Sequence, residues 1–185
     1  MRRHRPFPAA LRLLPLLALA TMAPAARAQP PPTQDAVQAA FLPKFARYVD
    51  WPAGAQPGPG VPFQLCVIGR DPYGPMLDAA AAGEQIDGHG VTVRRLARAE
   101  GAAGCHLAFV EGAARPETQR LLFALRQQPI LTVTDARAGP QRGMIHFTMV
   151  SGRVRFFIDQ EEAAQRGLTI SSRLLALAAG VRPRR

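Results

Sequence analysis

The chain has 185 residues, of which 48% are hydrophobic, and its formal net charge at pH 7 is +10. Five of its arginines and none of its acidic residues lie within residues 1–28, so the rest of the chain carries a net charge of only +5. This remaining charge is dispersed as single arginines, whereas proteins that bind nucleic acid concentrate basic residues in a patch or stripe. The composition therefore argues against a nucleic-acid partner.

The N-terminal segment has the features of a secretory signal peptide. A basic head at residues 2–5 precedes an apolar stretch at residues 10–23, and the small residues at 26–28 suit a signal peptidase. A membrane anchor is the alternative, but an arginine and a proline interrupt the apolar stretch, which is then too short to span about 30 Å of hydrocarbon. We therefore expect export to the periplasm, cleavage after Ala28 and no direct membrane insertion.

The chain that remains after this cleavage has 157 residues, enough for one domain with its own core. We assign residues 29–34, which are rich in proline, to a flexible leader. Residues 35–180 form the expected α/β domain, and residues 181–185 form a basic tail.

The first element of this domain is a predicted helix over residues 35–51. Asp35 is its expected N-cap, and Pro52 ends it at Trp51 because the residue before a proline avoids the helical conformation. Pro43 is expected to kink it near Ala39, unless the regular part of the helix begins around Pro43. Apolar residues recur at helical spacing, which predicts one buried face rather than an aromatic box that grips a ligand. They are Val37, Phe41, Phe45, Tyr48 and Val49.

The middle of the chain alternates between strand and helix patterns. After the first strand, Asp71 is the expected N-cap of a short helix and Pro72 its first residue. Such alternation predicts an α/β sheet with parallel core strands. The predicted strands are residues 61–69, 90–97, 105–111 and 129–135, and a further helix is predicted at residues 116–128.

The pattern changes in the last third of the chain. Residues 143–150 and 153–159 are strands separated only by Ser151-Gly152, which predicts an antiparallel hairpin with a two-residue turn. Asp159 and Ser171 are the expected N-caps of two short helices. The predicted fold class is thus a single three-layer α/β domain, whose mainly parallel sheet ends in an antiparallel hairpin and carries helices on both faces.

The residues that could act as catalysts or ligands do not form a recognised catalytic or ligand-binding pattern. The loop at residues 69–74 follows a strand but lacks the glycine spacing of a phosphate-binding loop. Glu161 and Glu162 are adjacent on a helix and therefore point in different directions. The histidines of the domain do not pair at metal-ligand spacing; they are His89, His106 and His146. We predict no catalytic residues, no cofactor and no metal.

The two cysteines, Cys66 and Cys105, do not form a C-x-x-C motif. In an oxidising compartment they are expected to form a structural disulfide, with two free buried thiols as the alternative. Cys66 lies in the first predicted strand and Cys105 in the third, and these strands are commonly neighbours in a doubly wound sheet.

Several motifs, in this order and spacing, resemble the YfiR family of periplasmic proteins. The resemblance covers essentially all of residues 36–178. The motifs are "AAFLPKFARYVDWP", "CVIGRDPYG", "CHLAFV", "ILTVTD", "GMIHF", "RVRFFID" and "GLTISSRLLALA".

The resemblance implies a periplasmic repressor rather than an enzyme. Such a protein binds the periplasmic segment of a membrane-bound diguanylate cyclase and holds the cyclase inactive, and its release raises cyclic di-GMP and favours biofilm formation. The resemblance further implies an outer-membrane lipoprotein that sequesters the repressor, and it allows a homodimer. Two alternatives remain: a periplasmic sensor that binds a small ligand for another membrane signalling system, and an unrecognised hydrolase.

The terminal hairpin holds the predicted partner-binding surface. Strand alternation places Ile145, Phe147, Met149, Val154, Phe156 and Ile158 toward the core. The opposite face carries a large aromatic residue among arginines at an expected sheet edge, a composition typical of interface hot spots. The alternative is that the following helices cover Phe157. The predicted partner-binding residues are His146, Arg153, Arg155 and Phe157.

Overall fold

The computed structural model describes residues 31–184, apart from the side chain of Ala138. The predicted signal peptide, residues 1–28, lies outside the described residues. Within residues 31–184, no helix combines the length and the apolar character that crossing a membrane requires.

Five α-helices and ten β-strands make up most of the described chain. The helices are α1 Gln34–Ala46, α2 Pro75–Ala81, α3 Arg115–Leu125, α4 Gln160–Gln165 and α5 Ser172–Leu177. The strands are β1 Val49–Asp50, β2 Phe63–Gly69, β3 Gln85–Ile86, β4 His89–Leu96, β5 Leu107–Glu111, β6 Leu131–Asp135, β7 Ile145–Val150, β8 Arg153–Asp159, β9 Thr169–Ile170 and β10 Gly180–Arg182. Short 3₁₀ helices lie at Ala53–Ala55, Ala99–Ala102 and Ala136–Ala138.

An eight-stranded sheet, in the order β10-β8-β7-β6-β5-β2-β4-β3, forms the centre of the fold. Strands β7, β6, β5, β2 and β4 are parallel. They follow a doubly wound order, in which the first of these strands lies between the second and the third. Strand β8 pairs antiparallel with β7. The predicted fold class, a mainly parallel α/β sheet that ends in an antiparallel hairpin, is confirmed.

Each face of the sheet carries its own apolar core, because side chains alternate between the faces. The larger core lies on the face under α1, which we call the core face, and it includes Phe147 and Phe156 of the hairpin. The smaller core lies on the opposite face, which we call the second face. There α3 packs over β2 and β5 through Leu121 and Leu125.

The first helix is shorter than its sequence pattern predicts. It begins after Thr33, whose hydroxyl oxygen accepts a hydrogen bond from the backbone N–H of Ala36 at 3.2 Å, so the predicted N-cap Asp35 is wrong. It ends at Ala46 rather than Trp51. The cause is a long-range pairing, because β1 leaves the helical path to pair antiparallel with β9.

Of the four aromatic residues near this helix, three lie in or against the core. Phe41 is partly buried and packs against the larger core. Phe45 is 1% exposed and Trp51 is 6% exposed. The indole N–H of Trp51 donates a hydrogen bond to the carbonyl oxygen of His106 at 3.1 Å. The prediction that Tyr48 belongs to the core is wrong, because its side chain is exposed. The shorter helix leaves it in the turn after α1, where it no longer belongs to the apolar stripe.

Turn and cap residues explain most of the remaining boundaries. Ser151 and Gly152 both have positive φ, 49° and 73°, as the type I′ turn of a two-residue hairpin requires. Asp159 caps α4 and Ser171 caps α5, as predicted. The prediction for Asp71 is wrong, because its carboxylate instead accepts hydrogen bonds from the backbone of the loop that precedes α2. Strand β10 was not predicted, and it begins inside the expected domain and continues into the expected basic tail.

The disulfide between Cys66 and Cys105 is present, as predicted, with the two Cα atoms 5.9 Å apart. Cys66 lies in β2, which pairs with β5. Cys105 lies just before β5 rather than within it. The prediction that these two strands are neighbours is therefore confirmed, and the disulfide connects β2 to the start of β5.

Candidate partner-binding surface

The carboxyl ends of the parallel strands are where doubly wound sheets hold ligands, between the two strands at which the order reverses. Here these strands are β2 and β5. Gly69, the last residue of β2, lies so close to β5 that a Cβ atom would be 2.2 Å from the carbonyl oxygen of Glu111. The side chain of Arg70 then pairs with the buried carboxylate of Glu111 across the same gap. The protein's own atoms thus fill this position.

A second group of polar side chains fills the neighbouring end of β6. The hydroxyl of Tyr73 donates to Gln38 at 3.1 Å, and the Gln38 amide donates to Asp135 at 2.5 Å. Arg137 also pairs with Asp135, at 3.1 Å. Burial, and then the charge of Asp135, raise the pKa of Tyr73, so its hydroxyl stays protonated and remains a donor. This network fastens α1 to the sheet and explains why these buried polar groups are tolerated.

The half of the second face that lies away from α3 carries exposed side chains, unlike the two strand ends described above. Over β7 and β8 this face presents Thr148, Arg153, Arg155 and Phe157, and both arginines are exposed. The opposite side of the same hairpin is buried, with Phe147 0% exposed. The predicted division of the hairpin into an apolar face and an arginine-bearing face is therefore found. Met149, predicted to face the core, is exposed at the hairpin tip instead.

Phe157 is half-buried, and two features of the fold hold it there. The guanidinium carbon of Arg142 lies 5.3 Å from the centre of its ring. On its other side, β10 passes so close that a Cβ atom on Gly180 would be 2.8 Å from the ring. A strand, rather than the helices that follow the hairpin, therefore covers part of Phe157. We call Arg142, Arg153, Arg155 and Phe157 together the hairpin surface.

A groove of about 590 Å³ runs beside Phe157. The loop before β7 contributes Arg142 to one wall, and β10 contributes Arg182 to the other. Arg182 is neutralised by Asp159 and Glu161. Among the described residues, no carboxylate lies within ion-pair distance of Arg142, Arg153 or Arg155. The hairpin surface therefore has an uncompensated positive charge.

His146 lies beneath the hairpin surface rather than in it, since it is only 4% exposed. Its Nδ1 is 2.9 Å from the hydroxyl oxygen of Thr134. That oxygen accepts a hydrogen bond from the N–H of Gly143, so the hydroxyl hydrogen is free to point at Nδ1. Burial, followed by the positive charge of Arg142, lowers the pKa of His146 to about 4. His146 thus lines the groove beside Phe157 from below, and its contact with a partner stays a prediction.

The buried neutral state of His146 makes the protein less stable in acid. The folded-state pKa of about 4 lies below the ordinary value of 6.5, so unfolding takes up a proton and the free energy of unfolding falls as the pH drops from 6.5 toward 4. At pH 5 we expect a loss of about 2 kcal/mol relative to pH 7.5 from this group. Urea unfolding at both pH values measures the loss, and H146Q should show a smaller one. Equal losses in H146Q and the wild type would contradict the assignment.

Sequence reasoning found Arg153, Arg155 and Phe157 from strand alternation. It missed Arg142 and Gly180, because the loop and the short strand that bring them to Phe157 have no periodic pattern of their own. The glycine at position 180, between an alanine-rich helix and a valine, is a weak sign of close backbone approach.

A family model described as YfiR/HmsC-like matches residues 35–179, which include both strands of the hairpin. No curated protein matches the chain.

Proposed function

The chain belongs to the YfiR/HmsC-like family, and we propose that it is a non-enzymatic periplasmic regulator that binds and represses a membrane-bound diguanylate cyclase. The observation that carries this proposal is the family match over residues 35–179, because this family is regulatory rather than catalytic in general. The signal peptide expected at residues 1–28 supports export. Release of the repressor would raise cyclic di-GMP and favour biofilm formation.

We place the contact with the cyclase on the hairpin surface. Arg153 and Arg155 are exposed and Phe157 is half-buried between them and β10. Aromatic residues and arginines dominate the energetics of interfaces, whereas scattered lysines and glutamates contribute little. The uncompensated charge of the arginines would also attract an acidic partner and raise its association rate.

The experiment that tests the function is a pull-down with the mature protein from detergent-solubilised membranes of the producing cells. We expect mass spectrometry to identify a captured protein with a diguanylate cyclase domain. Deletion of the gene for the present protein should raise cellular cyclic di-GMP. If no cyclase is captured and cyclic di-GMP does not change, the proposal fails, and a sensor of small ligands becomes the better hypothesis.

Changes in the hairpin surface should weaken repression. R155E and F157A are each expected to lower affinity for the captured cyclase by about tenfold or more, the effect of removing one hot-spot residue. R98E is the matched control, because Arg98 is an exposed arginine that follows β4 near the other edge of the sheet. Binding isotherms and cyclic di-GMP levels measure the effect. Wild-type repression by both hairpin variants, with normal folding, would place the interface elsewhere.

A further inference from the structure

The outer edge of β8 is only partly covered. Strand β10 pairs with β8 at Phe157, Ile158 and Asp159, while β8 itself begins four residues earlier, at Arg153. The carbonyl oxygen of Phe156 is also used, because it accepts a hydrogen bond from Ala179 at 2.8 Å. Within residues 31–184, no strand pairs with the stretch 153–155 on the side away from β7.

The hairpin register determines which backbone groups point out of this edge. In an antiparallel pair, facing residues alternate between those that exchange hydrogen bonds and those that do not. The N–H of Asp159 donates to the carbonyl oxygen of Met144, just before β7, at 2.7 Å. Counting back by twos from this pair assigns Arg153 and Arg155 to the bonded set. Val154 belongs to the other set, as does Phe156, whose carbonyl points outward to Ala179. The N–H and carbonyl of Val154 therefore face away from β7.

We propose that this edge of β8, centred on Val154, takes up an extended acidic segment of the partner as an added strand, in the sheet position that β10 occupies further along. This inference rests on the proposed function, since the segment belongs to the repressed cyclase. An exposed sheet edge binds such a segment through backbone hydrogen bonds, and the side chains on either side provide specificity.

The side chains that flank the edge define the chemistry of this segment. On the second face, Arg153 and Arg155 are exposed and have no carboxylate partner among the described residues. On the core face, the hairpin tip presents Met149, which is 44% exposed, next to Val154. An added strand alternates its side chains between the same two faces. Its acidic residues would lie beside the arginines and its apolar residues beside Val154, with Met149 of β7 one strand further away.

The same arginines argue against a second copy of this chain as the occupant. Two copies that met edge to edge here would bring Arg153 and Arg155 of one copy against the same residues of the other. Like charges that face each other across strands are destabilising, and charged side chains on edge strands are a common protection against self-association. Charge complementarity therefore favours an acidic segment of a different protein.

The test compares V154P with V154A, using the periplasmic segment of the captured cyclase as the probe. Both changes replace the valine side chain, and both leave the hydrogen bonds between β8 and β7 in place. Only proline removes the N–H of residue 154 that points outward. We expect V154P to bind about tenfold or more weakly than V154A. We also expect added salt to weaken wild-type binding. Equal affinities of the two variants would overturn the inference.

Amide hydrogen exchange of the wild-type protein gives a second readout that does not depend on any variant. The Val154 amide should exchange freely in the unbound protein and about tenfold or more slowly in the complex. No slowing, or protection that grows with the concentration of the protein alone, would overturn the inference. If a cyclase is captured and repressed, but V154P binds like V154A and the Val154 amide is not protected, only the added strand is refuted. If no cyclase is captured, the proposed function itself is refuted.

Discussion

Replacement of Phe45 by alanine is expected to lower the free energy of unfolding by about 3–5 kcal/mol, the usual cost of deleting a fully buried phenylalanine ring. Phe45 is 1% exposed and lies where α1 meets the hairpin. Its ring centre is 5.4 Å from that of Phe147 and 5.0 Å from that of Phe156. A neighbouring ring in α1, Phe41, lies 5.7 Å away. The cavity left by the change cannot close easily, because helix and strands are both fixed by other contacts.

Urea unfolding followed by circular dichroism measures this effect, with F123A as the matched control. Phe123 lies in α3 and is 61% exposed, and the guanidinium carbon of Arg126 lies 3.5 Å from the centre of its ring. The same chemical change should cost about 1 kcal/mol or less there. If F45A and F123A lost equal stability, the packing of α1 on the hairpin would not be the main core of the fold.

The loss at Phe45 should extend to function. Phe147 and Phe156 belong to the hairpin whose opposite side carries Arg155 and Phe157. A looser contact between α1 and the core face would let the hairpin move, and a mobile hairpin must be ordered again when a partner binds. We therefore expect F45A to weaken binding as well as folding, whereas R155E should weaken binding alone.

Removal of the disulfide is expected to lower the free energy of unfolding by about 4 kcal/mol, since cross-linking closes a long loop in the unfolded chain. Cys66 and Cys105 are 39 residues apart in the sequence, and the loop between them contains α2 and β4. The double variant C66A/C105A avoids placing hydroxyl groups in the small core of the second face, where Cys66 is 0% exposed.

Two measurements check this prediction. Urea unfolding of the wild type with and without reductant should reproduce the loss seen in C66A/C105A, which separates the bond from the packing of the two sulfur atoms. Native protein treated with an alkylating reagent in the absence of reductant should remain unmodified. Modification of both thiols under those conditions would show that Cys66 and Cys105 are free.

The six longer strands, β2 and β4 to β8, and the hairpin turn could be read from the sequence because each depends on local chemistry. The disulfide was expected because the two cysteines lie in predicted neighbouring strands of an exported chain. The run 61–69 is apolar on both sides, as a strand buried on both faces must be, and it contains β2. Ser151-Gly152 can only be a tight turn between two strands, and its positive φ values follow from that turn. Alternation then places Phe156 and Phe157 on opposite faces whatever packs against them.

Contacts between distant parts of the chain decided the rest. The apolar stripe of the first helix continues past Ala46, but the helix ends there because β1 gains backbone partners in β9, far along the chain, where Val49 pairs with Ile170. Strand β10 has only three residues, too few for any period, and it exists because β8 offers it an edge. His146 has the pattern of an exposed strand residue, yet it is 4% exposed and lies within hydrogen-bond distance of Thr134 in β6. Periodicity determines which way a side chain points, whereas what covers that side chain, and where an element stops, depends on backbone partners that only the folded chain brings together.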